Sequence, residues 1–234
     1  MFENYLCING KKVGLTDEQM RQLGITPVEP VESDIAKMSR ISKAGEAKDH
    51  YKVHDIIVVD DITFEIVGIG HDKDALTGKY NTITLRQVDH IKKSRIDPGP
   101  CPEGFAASEL DISLIKSPQN WIPESILPYV RHVAKKYVMY NSRIKVMYRK
   151  LWLFSESEMF GSAIYSPAED GKRYEAFATS NYRITFGEKG SACSAWLRSA
   201  YFGDSCFFCV VDTSGFASYS YALDSYGVAL GFCV

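Results

Sequence analysis

The rhythm of hydrophobic and polar positions changes along the chain, and each change predicts an element. Tyr5, Cys7 and Ile8 read as a short strand that ends at Asn9-Gly10, a strong turn dipeptide. Thr16, followed by Gln19, forms a capping box that opens a short helix through Met20 and Leu23 and stops at Gly24. Pro27 and Pro30 then break regular structure. Residues 31–50 are polar and charged, with Ile35, Met38 and Ile41 recurring at helical spacing. That pattern predicts a modest helix in a linker or partner-facing segment outside the core; a flexible connector fits the same composition.

From Tyr51 the pattern turns to strands. The β-branched runs Ile56–Val59 and Ile62–Val67 flank the polar pair Asp60-Asp61, a β-hairpin signature. Asn81–Leu85 alternates as a further strand, so residues 51–90 read as a small antiparallel sheet. The proline-rich stretch Asp97–Pro102 is a rigid connection. Two helices are predicted next. One runs from Ser108 to about Lys116 and ends at Ser117-Pro118. The other starts at Pro123, with Ile126, Leu127, Val130, Val133 and Ala134 as its apolar stripe. Arg131, Lys135 and Lys136 would suit its C-terminal dipole, and His132 reads as a surface or half-buried residue of that helix. Leu151–Phe154 is a short apolar strand, and Ser155 with Glu158 is a second capping box. Residues 161–195 read as long loops.

Composition narrows the function classes. The length suits one large domain, or a domain plus a smaller unit. A formal charge of −2 argues against a broad basic face for nucleic acid. No apolar run reaches membrane-spanning length, and the first residues lack the pattern of a classical secretory signal. The residues show no Walker loop, GxGxxG, HExxH or GxSxG motif, and no enzyme site, cofactor or metal centre can be assembled from them. His50 and His54 stand one helical turn apart, yet no further ligand completes a set. Asp60-Asp61 is better explained as a turn than as a catalytic pair. Among the six cysteines, Cys206 and Cys209 have the spacing of a redox pair or half a zinc site; small buried thiols are the simpler reading.

The last quarter stands apart. From Leu197 onward there is no Lys, Glu, Gln, Met or Trp, while Tyr, Phe, Ser, Gly and Asp are dense. Core strands with turns would exclude Lys and Glu too. The mixture also matches a paratope, in which Tyr gives contact area at low entropic cost and Ser and Gly give adaptable polar contacts.

Trp196-Leu197-Arg198-Ser199-Ala200, Gly215, Ala217, Ala222, Ser225 and the closing Gly227-Val228…Gly231-Phe232-Cys233 resemble the variable proteins of diversity-generating retroelements, found in phages and bacteria. The likeness spans about residues 51–234 and is strongest from Trp196. One departure is the ending, Val228-Ala229-Leu230-Gly231, where many relatives carry Gly-Val/Leu-Arg-Pro. The resemblance implies an α+β domain of C-type-lectin type (formylglycine-generating-enzyme-like), with antiparallel strands, two helices and long loops. It also implies a variable region over about 197–227. Residues 1–50 would then be a small N-terminal attachment segment and linker.

In that family adenine mutagenesis of AAC-type codons yields NNC codons, which cannot encode the five missing residue types. Trp196, Leu197, Val211, Ala217, Ala222, Val228 and Phe232 would be scaffold. Tyr201, Phe202, Asp204, Phe207, Asp212, Phe216, Ser218, Tyr219, Ser220, Tyr221, Leu223, Asp224 and Tyr226 would form the binding face. The implied function is ligand or receptor binding, on a phage tail or a bacterial cell surface, to a protein or glycan receptor. A homo-oligomer is compatible with that role; nucleic-acid binding and membrane insertion are not expected. Two rivals stand beside it. One is a formylglycine-generating-like redox enzyme using Cys206 and Cys209, and the other is a structural virion component.

Overall fold

The computed structural model describes residues 5–8, 11–14 and 32–234. Residues 1–33 and 34–234 are separate compact units. In the first, β1 (Tyr5–Ile8) and β2 (Lys11–Gly14) pair antiparallel with Ile8 opposite Lys11. The expected Asn9-Gly10 turn and the Thr16–Leu23 helix lie outside the described residues.

The second unit opens with α1 (Asp34–Ala44) and α2 (Ala47–His50). The periodicity of Ile35, Met38 and Ile41 does mark a helix, but that helix is no linker. All three side chains are buried, and Ile35 and Met38 belong to the main core. The polar composition misled because Ser39 and Ser42 are buried too, and Ser42 Oγ donates 2.7 Å to the carbonyl of Val234. His54 lies beyond the end of α2 at φ 75°, so it shares no helix face with His50.

β3 (Ile56–Val59) and β4 (Ile62–Ile69) form the predicted hairpin. Asp60 (φ 50°) and Asp61 (φ 64°) are both left-handed, as a two-residue primed turn requires. β5 (Ile83–Gln87) pairs with β4, and β6 (Lys93–Ser94) follows. The helix expected from Ser108 to about Lys116 forms as α3 (Glu109–Lys116), and Ser108 caps it by accepting from the Asp111 N–H.

The second predicted helix does not form. A 3₁₀ turn occupies Leu127–Tyr129, and Val133–Val138 is a strand, β7, hairpinned to β8 (Ile144–Arg149). Pro128 is the reason. Inside an α-helix it would remove a hydrogen bond and clash with the preceding turn. His132 is therefore an exposed loop residue, and Lys135 is buried on a strand.

After β9 (Trp152–Leu153) and α4 (Glu156–Phe160) come the expected irregular residues, interrupted by 3₁₀ turns and by β10 (Thr185–Phe186) and β11 (Ala192–Cys193). The C-terminal strands are β12 (Ala195–Ala200), β13 (Phe207–Val211), β14 (Ala217–Tyr221), β15 (Tyr226–Gly227) and β16 (Leu230–Cys233).

Two five-stranded sheets result, ordered β3-β4-β5-β16-β9 and β14-β13-β12-β15-β6. The architecture is α+β and mostly sheet. Residues 51–90 do not form a sheet alone, because β16 fills the place between β5 and β9. The second sheet is buried on both faces at its centre. Trp196, Phe208 and Val210 enter the main core, and Leu197, Cys209 and Val211 enter a second core with Phe154, Tyr174 and Phe177. Two-sided burial explains why β13 reads as an unbroken apolar run.

Candidate ligand-binding face

The motif Trp196-Leu197-Arg198-Ser199 is wholly buried on β12, and its polar side chains reach distant partners, although Arg198 Nη2 is left without a hydrogen bond among the described residues. Trp196 Nε1 donates 2.8 Å to the Ser94 carbonyl. Arg198 donates to the carbonyls of Lys136 and Leu153 and to Glu158 Oε2 at 2.6 Å. Glu158 is also the far half of the capping box at Ser155, and its other oxygen accepts from Lys135 Nζ at 3.0 Å. Lys135 reaches Asp72 and the Tyr174 hydroxyl as well. Burial alone would raise the Glu158 carboxyl, but Arg198 and Lys135 overcome it and hold the group at about 2. This buried ionic frame carries the variable-looking stretch.

On that frame β13 and β14 form a hairpin in which Phe207 faces Tyr221 and Cys209 faces Tyr219. Its second-core face grades outward. Val211 and Cys209 are fully buried, whereas Phe207, Tyr219 and Tyr221 reach solvent. The rings continue one another: Phe207–Tyr221 centroids are 4.0 Å apart, Tyr201–Tyr219 4.4 Å and Tyr165–Tyr219 5.1 Å. Packed aromatics at these separations attract beyond simple burial. The cluster is thus the open margin of the second core.

The remaining predicted positions lie around this margin rather than on one plane. Phe202 and Asp204 lie on the β12–β13 loop, which is tied down by Phe202 N–H to Tyr165 O and Gly203 N–H to Tyr140 O, each 3.0 Å. Asp212 and Phe216 belong to the hairpin turn, where Asp212 Oδ1 accepts from the Ser214 and Phe216 amides. Gly215 sits there at φ 79°, and a Cβ on it would meet the Ser180 carbonyl oxygen at 2.1 Å. Ser218, Ser220, Asp224 and Tyr226 are on the opposite side. There Ser220 Oγ donates to Asp224 Oδ2, and Tyr226 packs edge-on against Trp196. Leu223, Phe202 and Phe216 are each about three-fifths exposed, at 59%, 63% and 59%. Every predicted binding position is exposed or half-buried; the predicted scaffold positions are buried except Ala217, which is half-buried.

Sequence reasoning missed Tyr165. It lies in an irregular segment, and its place depends on a carboxylate in a neighbouring helix. Glu156, fully buried, accepts from the backbone amides of Ile164, Tyr165 and Ser166 and from the Ser166 hydroxyl. The signal was present in Ser-Glu-Ser-Glu, where the capping box uses only the second Glu.

Cys206 and Cys209, the candidate pair, are both free thiols, one half-buried and one buried. Cys209 is buried and its thiol is pushed far up, and a hydrogen bond to Asp204 raises Cys206. Reactive thiols need the opposite shift. Among the described residues no three metal-ligating side chains converge, and no helix is long and apolar enough to cross a membrane.

No curated protein and no solved structure matches the chain. Residues 113–234, from within α3 through β16, match a domain family of unknown function. The chain belongs to that family, DUF6273.

Proposed function

We propose that the chain is a non-enzymatic binding protein whose ligand-facing surface is the margin around β13 and β14. One observation carries the reading: in the stretch that lacks Lys, Glu, Gln, Met and Trp, solvent-facing blocks (201–207, 216–221 and 223–226) are held between buried ones (208–211 and 227–234). Phe207 is half-buried beside buried Phe208, and Tyr221 is exposed beside buried Ala222. A surface of this kind changes its side chains without disturbing the core beneath it. Exposed aromatics clustered on a rigid support mark an interaction site. In the wider form of the proposal the domain is of C-type-lectin type, a variable protein of a diversity-generating retroelement. It would display this surface on a phage tail or a bacterial cell and bind a protein or glycan receptor there.

Sequencing tests the wider form. The DNA around the gene is expected to hold a near-copy of the segment coding for about 197–227, with AAC-type codons at the exposed positions, and a reverse transcriptase gene. Deep sequencing of a growing population should place substitutions at Tyr201, Phe216, Tyr219 and Tyr221 and leave Trp196, Arg198 and Phe232 fixed. Uniform substitution along the gene, with no near-copy, overturns that form.

A further inference from the structure

Strand β14 is the outer strand of its sheet, and the hydrogen bonds at its ends set the parity of its backbone. Ala222 N–H donates to Cys206 O, and Asp212 N–H donates to Phe216 O. With the register of the hairpin, these bonds place Ser218 and Ser220 at the positions bonded to β13. Ala217, Tyr219 and Tyr221 therefore turn their N–H groups away from the sheet. Tyr221 O accepts from Asp224 N–H, so the outward acceptors are those of Ala217 and Tyr219. Among the described residues no hydrogen bond reaches these outward groups, and Ala217–Tyr221 has no proline, no lysine and no shift of register to protect the edge.

Charge adds a second constraint. From Ser199 to Val234 the charged side chains are Asp204, Asp212 and Asp224, with no Lys, Arg or His. Asp212 uses Oδ1 in its turn and Asp224 uses Oδ2 for Ser220, and among the described residues neither has a partner for its other oxygen. Arg183 approaches the turn, but its guanidinium is bound to the carbonyls of Met159, Phe177 and Gly215. Unsatisfied main-chain donors and acceptors in a row are matched by another extended backbone, and aspartates at both ends of the row favour a cationic one. A second copy of β14 laid antiparallel would bring Asp212 of one copy near Asp224 of the other, which disfavours self-pairing.

We infer that the ligand of this face is an extended, basic polypeptide segment that adds to β14 as a further strand, with side chains resting on the Tyr219–Tyr221 margin. The inference rests on the binding reading above and deepens it.

A random dodecapeptide library panned on the whole chain provides the probe, with the most enriched peptide synthesised for titration. Enriched peptides are expected to be cationic. Their binding should slow amide exchange at Ala217, Tyr219 and Tyr221 and should weaken about tenfold or more in Ala217→Pro, which removes one outward N–H while keeping the rings. Binding unchanged in Ala217→Pro and without protection of β14 overturns the strand-addition inference and leaves the binding face standing. Failure of any peptide to enrich also overturns it. If glycan-array binding is then lost in Tyr219→Ala/Tyr221→Ala, the broader reading survives with a different ligand class. Self-association abolished by Ala217→Pro would assign the edge to a second copy instead. Should Ala217→Pro fail to fold, amide exchange on the unaltered chain decides.

Discussion

Glu158 shows how one side chain can be read partly in advance and partly not. Its spacing from Ser155 announces a capping box, and both reciprocal bonds are present. Its two cationic partners come from β7 and β12, and nothing local in the sequence points to them. Glu158→Gln keeps a cap acceptor but leaves Lys135 and Arg198 facing a neutral group, so a loss of about 3–5 kcal/mol is expected. The folded carboxyl sits at about 2 against an ordinary 4.5, so its contribution is full above about pH 4.5 and fades as pH falls toward 2. Asp72, lowered as well, acts in the same sense, whereas burial raises Asp170 and gives it the opposite sign. Chemical unfolding of wild-type and Glu158→Gln chains between pH 2 and 6 checks this. The gap between the two should shrink as pH falls across that window, and a constant gap would contradict the ionic assignment.

The β13–β14 hairpin separates support from display. Gly215→Ala forces a Cβ against a backbone carbonyl at a left-handed φ and should cost about 1–3 kcal/mol. Tyr219→Ala and Tyr221→Ala remove exposed cross-strand rings and should each cost under about 1 kcal/mol. Melting temperatures of the three variants provide the check; the opposite ranking would move the tyrosines into the core. The hairpin of β3 and β4 was legible, because its β-branched runs and polar turn are local, whereas β13, buried over 208–211, carries no alternation. The β7 strand was not, since Val130, Val133 and Ala134 fit a helical stripe and only Pro128 argued against it. Tyr165 escaped for another reason: its position is set by hydrogen bonds to Glu156, and an irregular segment carries no period.

Strand β16 joins the two halves of the second unit. It pairs with β5 on one side and β9 on the other, and Phe232 packs against Phe64 with ring centroids 5.3 Å apart. Periodicity outlined β3, β4 and β5 but could not say what lay beside them, because pairing across such a sequence separation leaves no local trace. The same blindness hid the burial of α1, whose Ser42 bonds to Val234. Removing residues 230–234 should abolish the cooperative thermal transition and expose apolar surface to ANS, and a retained sharp melt would show that the first sheet closes without β16. Pairing of this kind also checks the reading frame. The exposed positions between Tyr201 and Tyr226 are translated before β16, so any insertion or deletion among them that shifts the frame scrambles the strand that completes the first sheet. A frameshifted chain would lack the strand between β5 and β9, so a chain that keeps its fold has kept its frame through the exposed positions.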